Sequence, residues 1–269
     1  RDGKRKLQLC IMGVSFHGIE QKRIRGLKYT GGIFTNITHD HLDYHKTFAN
    51  YIAAKKAFFD SLGPESFALI NADDKNSEVM VQNCSARKYT YSISGMADFR
   101  AAVIEQGIEG MELRIDGEEV WTQFVGEFNA SNLLAVYSAA ILLGEGKKET
   151  LTYLSSLKPV PGRLEVIRGN TSVTGIVDYA HTPDALMKVT DTINKILKGS
   201  GLLITVVGAG GDRDRSKRPL MASICAEKSS IVILTSDNPR SEDPEKIIDE
   251  MVAGITYEAK EKVIRITDR

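Results

Sequence analysis

The sequence predicts an α/β protein built of two units, and three observations predict it. Short apolar runs of strand length alternate with longer segments of helical period. A glycine-punctuated stretch of strands, residues 87–128, interrupts that alternation. After Pro159-Val160-Pro161-Gly162 a fresh series of strand, helix and strand begins. The expected units are therefore residues 1–158 and residues 159–269.

In the first unit, Leu9–Ser15, Gly32–Thr38 and Phe67–Asn71 read as short strands. Thr47–Leu62 reads as a helix, capped by Thr47 and carrying Phe48, Tyr51, Ile52, Phe58 and Phe59. Asn71-Ala72-Asp73-Asp74 is turn-like. An antiparallel insert follows, with strands at 89–91, 101–104, 111–115 and 120–125 and turns at Gly107, Gly110 and Gly117. Helices are expected over 129–144, with Asn129 as a cap, and over 148–157. In the second unit the expected order is strand 176–179, helix 183–197, strand 202–207, helix 218–228, strand 231–235, helix 244–255 and strand 263–266. Right-handed crossovers make that series a parallel, Rossmann-like domain.

Composition narrows the function classes. The 269 residues carry a formal net charge of +0 and are 42% hydrophobic, enough for a sizeable core. Neither nucleic acid nor an acidic membrane is an expected partner. No apolar run approaches the ~18 residues of a membrane span, and no signal peptide opens the chain. Cys10, Cys84 and Cys225 form no CxxC pair and read as buried, reduced thiols in a cytoplasmic protein.

The densest chemistry follows a strand end, where α/β sheets bind ligands. Three histidines and two aspartates lie within seven residues, His39-Asp40-His41-Leu42-Asp43-Tyr44-His45. The run is compatible with a metal site or with a polar loop. Zinc hydrolases of the metallo-β-lactamase type use His-x-His-x-Asp-His. The spacing His39, His41, Asp43, His45 is one residue longer, and His181 is the available further ligand.

With its flanks the run becomes more specific. Thr35-Asn36-Ile37-Thr38-His39-Asp40-His41-Leu42-Asp43-Tyr44-His45, followed by Tyr51-Ile52-Ala53-Ala54-Lys55, resembles the central-domain signature of the Mur ligases. Further matches keep the family's order along the chain: Gly126-Glu127-Phe128-Asn129-Ala130-Ser131-Asn132, Pro161-Gly162-Arg163, Asp178-Tyr179-Ala180-His181-Thr182-Pro183 and Gly210-Gly211-Asp212-Arg213-Asp214. Asp237-Asn238-Pro239-Arg240 resembles the signature of members that select meso-diaminopimelate over lysine. Pro239 stiffens that loop, and an arginine fork suits the second carboxylate that lysine lacks.

The resemblance implies a central ATPase-type domain followed by a Rossmann-like ligase domain. It implies an ATP- and Mg²⁺-dependent amide ligase of peptidoglycan synthesis, acting through an acyl phosphate. The substrates implied are UDP-MurNAc-L-Ala-D-Glu and meso-diaminopimelate, handled by a cytoplasmic monomer. His41 and a carbamylated Lys55 would support Mg²⁺; an anionic oxygen suits that ion, whereas an ammonium would repel it. Asn129, Asn132, Arg163 and Asp178 would meet the nucleotide, Ser15 and Arg23 the UDP-sugar substrate, and Arg213, Asp237, Asn238 and Arg240 the amino acid. The chain also departs from the pattern. No Gly-x-x-x-x-Gly-Lys-[Ser/Thr] loop occurs, Gly13 stands where a carboxylate is usual, and Phe16 where a small hydroxyl is usual. The family's uridine-binding N-terminal domain and its final helices, with their Gly-His-Glu segment, are expected to be missing. An inactive remnant of such a ligase is the alternative these departures raise, and a zinc hydrolase the distant one.

Overall fold

The computed structural model describes residues 9–15, 18–19, 21–37, 48–170 and 172–269. The chain divides into two compact units, 1–89 and 90–269.

In the first unit, β1 (Gly31–Phe34) precedes α1 (Phe48–Asp60), and β2 (Phe67–Asn71) precedes the single-turn α2 (Ser77–Met80). β1 and β2 pair in parallel, Gly31 opposite Phe67 and Phe34 opposite Ile70. All five residues of β2 are buried, as a parallel strand covered on both faces requires. Tyr51, Phe58 and Phe59 of α1 pack with Phe34, Leu62, Ile70 and Met80. Gly31 and Gly32 are needed here for space: a Cβ at Gly31 would lie 2.2 Å from the Phe67 ring, and one at Gly32 2.7 Å from that of Phe58. The expected strand at Leu9–Ser15 does not form: the segment pairs with no strand among the described residues, and Ile11 is 87% exposed. Cys10 is exposed, contrary to the buried thiol expected; Cys84 and Cys225 are buried.

The second unit begins within β3 (Arg87–Ser92). β4 (Phe99–Gly107), β5 (Gly110–Ile115) and β6 (Glu118–Thr122) form an antiparallel meander, as the glycine turns predict. Met111, Leu113 and Ile115 are fully buried in it. Two helices follow, α3 (Glu127–Leu142) against β4 and α4 (Lys147–Ser156) against β6. α3 starts two residues before the expected cap. Gly126, at φ +95°, is the residue before the helix, and Asn129 lies inside its first turn.

Next come β7 (Glu165–Arg168) and β8 (Thr174–Val177). β8 is not the first strand of the parallel series, as expected; it pairs antiparallel with β7, Glu165 opposite Val177. The rest of the series forms as read: α5 (Pro183–Leu197), β9 (Ile204–Val207), α6 (Lys217–Lys228), β10 (Ile231–Leu234), α7 (Pro244–Val252), a 3₁₀ turn (Tyr257–Lys262) and β11 (Val263–Arg265). β10 lies centrally, parallel to β9 and β11. Pro183 and Pro244 open their helices at the position where a missing N–H costs nothing. Thr182 and Asp243 accept from the backbone N–H groups of Ala185 and Glu245 as caps.

Val207, Val232 and Leu234 face a core made with Met221, Ala222 and Cys225 of α6 and Ile247, Ile248 and Met251 of α7. Gly254 lets the chain after α7 cross the start of α6; a Cβ there would meet the Pro219 carbonyl oxygen at 2.1 Å. The opposite side of this sheet leaves Ile204, Val206 and Ile264 about half exposed, at 53%, 57% and 46%. No helix among the described residues is long and apolar enough to cross a membrane.

Candidate functional site

The sheet β9-β10-β11 sends two loops off the carboxyl ends of its strands, and those loops interlock. Residues 208–214 leave β9, and residues 235–242 leave β10. The Gly211 N–H donates to the Asn238 carbonyl over 2.9 Å, and an Arg240 Nη1 donates back to the Gly211 carbonyl. The Ser241 hydroxyl donates to Asp212 Oδ1 over 2.7 Å. The contact is so close that a Cβ at Gly211 would lie 1.8 Å from the Pro239 oxygen. Asp212 and Arg240 both adopt positive φ, at 51° each, so each turn bends sharply to present its neighbours.

This brings together the four residues expected to meet an amino acid. Arg213 is exposed and forms no ion pair among the described residues; Arg240 is exposed and bonded only through Nη1 to Gly211. Asp237 and Asn238 line an open cleft of about 570 Å³ with Ser236, Pro244, Thr267, Asp268 and Arg269. Arg269 approaches Asp237 at 3.7 Å.

Beneath the loops lies a group that the sequence reading missed. Arg218, in the first turn of α6, is 1% exposed. Its Nη1 donates to Glu242 Oε2 (2.9 Å) and Glu250 Oε2 (2.8 Å); its Nη2 donates to Glu242 Oε1 (2.7 Å) and the Gly210 carbonyl (3.2 Å). Arg215 adds a second cation on Glu250. Arg218's hydrogen bond to Glu242 outweighs its desolvation and raises its pKa. The same bond, with the Asp212 N–H behind it, holds the Glu242 carboxyl down at about 2. Residues 24 and 32 positions away supply the acceptors, so no local pattern signals the cluster.

A second constellation surrounds the 161–183 segment. Asp178 accepts from the Leu164 N–H with Oδ2 and from the Ala180 N–H with Oδ1, each over 2.7 Å. That carboxylate pins a turn in which buried Leu164 takes φ 48°. Arg163, next in the chain, lies over the Tyr179 ring at 4.8 Å and makes no ion pair among the described residues. His181 packs edge-on to Tyr179. Sequence reading placed Arg163 and Asp178 in one role but missed Tyr179 as the ring on which Arg163 stacks. The asparagines divide: Asn129 is buried, donating to the Val125 carbonyl over 2.8 Å, while Asn132 is exposed.

In the first unit, Ser15 and Arg23 fold together through Gly18. The Gly18 N–H donates to Ser15 Oγ (3.2 Å), and the Arg23 N–H to the Gly18 carbonyl (2.8 Å). Lys55 projects from α1 half-buried, its amine 5.2 Å from the centre of the Tyr51 ring. It makes no ion pair among the described residues, and burial lowers its pKa. His39, His41, Asp43 and His45 lie outside the described residues, so the metal cluster and its zinc reading do too. Among the described residues no group of His, Cys, Asp and Glu is placed to hold a metal ion. The turn 71–74, read only as a turn, holds the entry to that segment. Asn71 donates to the Thr35 carbonyl, and Asp74 accepts from the Ile37 N–H, at 2.8 and 2.9 Å.

The parallel domain and its loops are those of a ligase family. Residues 2–140 match the Mur ligase middle domain, and residues 162–269 the Mur ligase glutamate ligase domain; the chain belongs to the Mur ligases. Within the family it is similar to the UDP-N-acetylmuramoyl-L-alanyl-D-glutamate–2,6-diaminopimelate ligase of Phocaeicola vulgatus, 58% identical over 97% of this chain and 54% of that one. The enzyme of the same name from Bacteroides thetaiotaomicron is 55% identical over 96% of this chain and 54% of its own. A solved structure bearing that name aligns with TM-score 0.61 at 37% identity, covering 95% of this chain and 53% of the other. The chain thus spans about half the length of the curated relatives it matches.

Proposed function

We propose that this chain carries the ATP-binding and amino-acid-binding halves, residues 1–158 and 159–269, of a ligase adding meso-diaminopimelate to UDP-MurNAc-L-Ala-D-Glu through an acyl phosphate. The observation that carries the reading is the interlocked loop pair. It presents two arginines, Arg213 and Arg240, that are exposed and form no ion pair among the described residues, beside a cleft lined by Asp237 and Asn238. An arginine fork grips a carboxylate through two parallel bonds. Diaminopimelate has two carboxylates, and Asp237 suits an ammonium. Holding that molecule by both ends aims its free amine. Fixed cations nearby also stabilise the negative charge that develops as the amide forms.

Arg163, stacked on Tyr179 and without an ion pair among the described residues, suits an ATP phosphate. Asp178 holds Arg163's turn and keeps lone pairs for a ribose hydroxyl. Asn132 is available to a base, with Asn129 fixing it from behind. Ser15 and Arg23 would touch the UDP-sugar. Lys55 fits the magnesium role in one respect: a desolvated amine without a counter-ion among the described residues has a lowered pKa, and the neutral amine is the form that takes up carbon dioxide. With His41 it would hold Mg²⁺, which supplies charge neutralisation for phosphate. The reading brings with it a cytoplasmic setting and a monomer.

The test is ADP release with UDP-MurNAc-L-Ala-D-Glu and either meso-diaminopimelate or L-lysine, beside calorimetric binding of the two amino acids alone. Preference for meso-diaminopimelate, lost in Arg240→Ala, supports the reading; equal binding of both sinks it. One observation favours an inactive remnant, the glycine at position 13 where the family has a carboxylate. A Cβ at Gly13 meets nothing within 4 Å among the described residues, which makes Gly13→Glu a usable test. A chain that is silent as it stands and gains turnover with that change supports the remnant reading.

A further inference from the structure

We infer that Arg218 is the positioning residue for amino-acid selection, locking the two arginine-bearing loops into one rigid clamp. The inference rests on the proposed role of Arg213 and Arg240. Arg218 bonds into both loops at once and into the helix beneath them. It reaches the 208–214 loop through the Gly210 carbonyl, the 235–242 loop through both oxygens of Glu242, and α7 through Glu250. Glu242 completes the circuit by accepting the Asp212 N–H at 2.6 Å. Asp212 is bonded in turn to Ser241. Each arginine expected to hold a carboxylate is therefore within two residues of a group fixed by Arg218: Arg213 beside Asp212, and Arg240 two residues before Glu242.

The charges divide the labour. Arg215 and Arg218 meet Glu242 and Glu250 in a balanced quartet, two cations against two anions. The quartet has no spare charge for a ligand. Arg213 and Arg240 lie outside it and keep theirs. Separating a charge-balanced scaffold, centred on the buried Arg218, from exposed gripping cations lets the grip be held in place without neutralising it. A lysine in place of Arg218 offers a point charge, not a planar fork, and cannot serve Glu242 with two parallel bonds while reaching Gly210 and Glu250. A displacement of about 1 Å in such a clamp can cost on the order of a hundredfold.

The test combines amide hydrogen exchange with calorimetry on the whole chain, using Arg218→Lys and Glu242→Gln. The second variant keeps the volume and removes one acceptor from the fork, so it reports even if the first fails to fold. We expect the Gly211 and Asp212 amides to lose protection while those of Val232 and Leu234 in β10 keep theirs. The preference for meso-diaminopimelate over L-lysine should shrink about tenfold or more, with ATP affinity unchanged. Variants that melt lower yet keep protected loop amides and the original preference reduce Arg218 to a structural residue and overturn the inference. If the unaltered chain does not distinguish the two amino acids, the functional reading falls and selection by Arg218 with it; exchange still decides separately whether Arg218 locks the loops.

Discussion

Lys55 of α1 and Arg218 of α6 are both cations drawn out of water, and they respond in opposite directions. Lys55 has an aromatic ring beside it and no carboxylate among the described residues; burial lowers its pKa. Arg218 is more deeply buried, but Glu242 and Glu250 surround it, and its pKa rises. Desolvation disfavours either charge, and the neighbours decide whether the protein keeps it. The contrast matches the tasks proposed. A lysine to be converted into an anionic carbamate must first lose its proton. An arginine holding loops must never do so.

Substitutions test that contrast. The largest effect belongs to Arg218→Met. It removes the buried guanidinium that Glu242 and Glu250 share and leaves Glu242 without its main partner. Chemical denaturation should show the largest loss of stability in this set, partly recovered in Arg218→Met/Glu242→Gln. Equal stability of the single and double variants would mean that no stranded charge was at issue. Next, Gly211→Ala drives a methyl into the Pro239 carbonyl. Overpacking of this kind costs about 1–3 kcal/mol. The damage should appear as lost preference for meso-diaminopimelate before it appears in the melting of the core.

Lys55→Met should carry the opposite sign. Replacing a half-buried amine that has no ion pair among the described residues with an apolar chain of similar length should stabilise the protein by about 1 kcal/mol, while ADP release falls. A destabilised Lys55→Met would reveal a counter-charge on Lys55. The smallest effect is expected for Lys195→Ala. Its ion pair with Glu127 is 2.9 Å long, but both side chains are more than half exposed. Such pairs contribute about 0–1 kcal/mol and are screened by salt.

The pH dependence separates the two cations again. Glu242 titrates at about 2 in the folded chain against 4.5 unfolded. Its contribution is complete above 4.5 and disappears as pH falls from there toward 2. Lys55 binds its proton less tightly when folded, so its burial penalty diminishes as pH rises toward the ordinary lysine value. Acid melts of Glu242→Gln should lack the first dependence, and alkaline melts of Lys55→Met the second.

Much of the fold was legible in the residues. Phe67–Asn71 and Pro183–Leu197 form over the spans their patterns predict, because an apolar run of strand length and a proline-opened amphipathic helix are local signals. Leu9–Ser15 was misread because apolar composition alone does not make a strand, and the segment finds no pairing partner among the described residues. Glu165–Arg168 was missed because its short run alternates too weakly to stand out. Family likeness could nominate Arg163, Asp178, Arg213 and Arg240, but not the Tyr179 ring under Arg163 or the Arg218 hydrogen bonds that join the two loops.

Local pattern set most of the elements and their order, the motifs carried the family, and they nominated the residues proposed to grip carboxylates. Periodicity, capping and motif chemistry are properties of neighbours along the chain. Tertiary structure decided that Val177 lies opposite Glu165 and that Arg218 joins Glu242 and Glu250. It also decided that Gly211 can carry no side chain. Each of these depends on which distant backbone comes within a few ångströms, and only the packed sheet and helices set that.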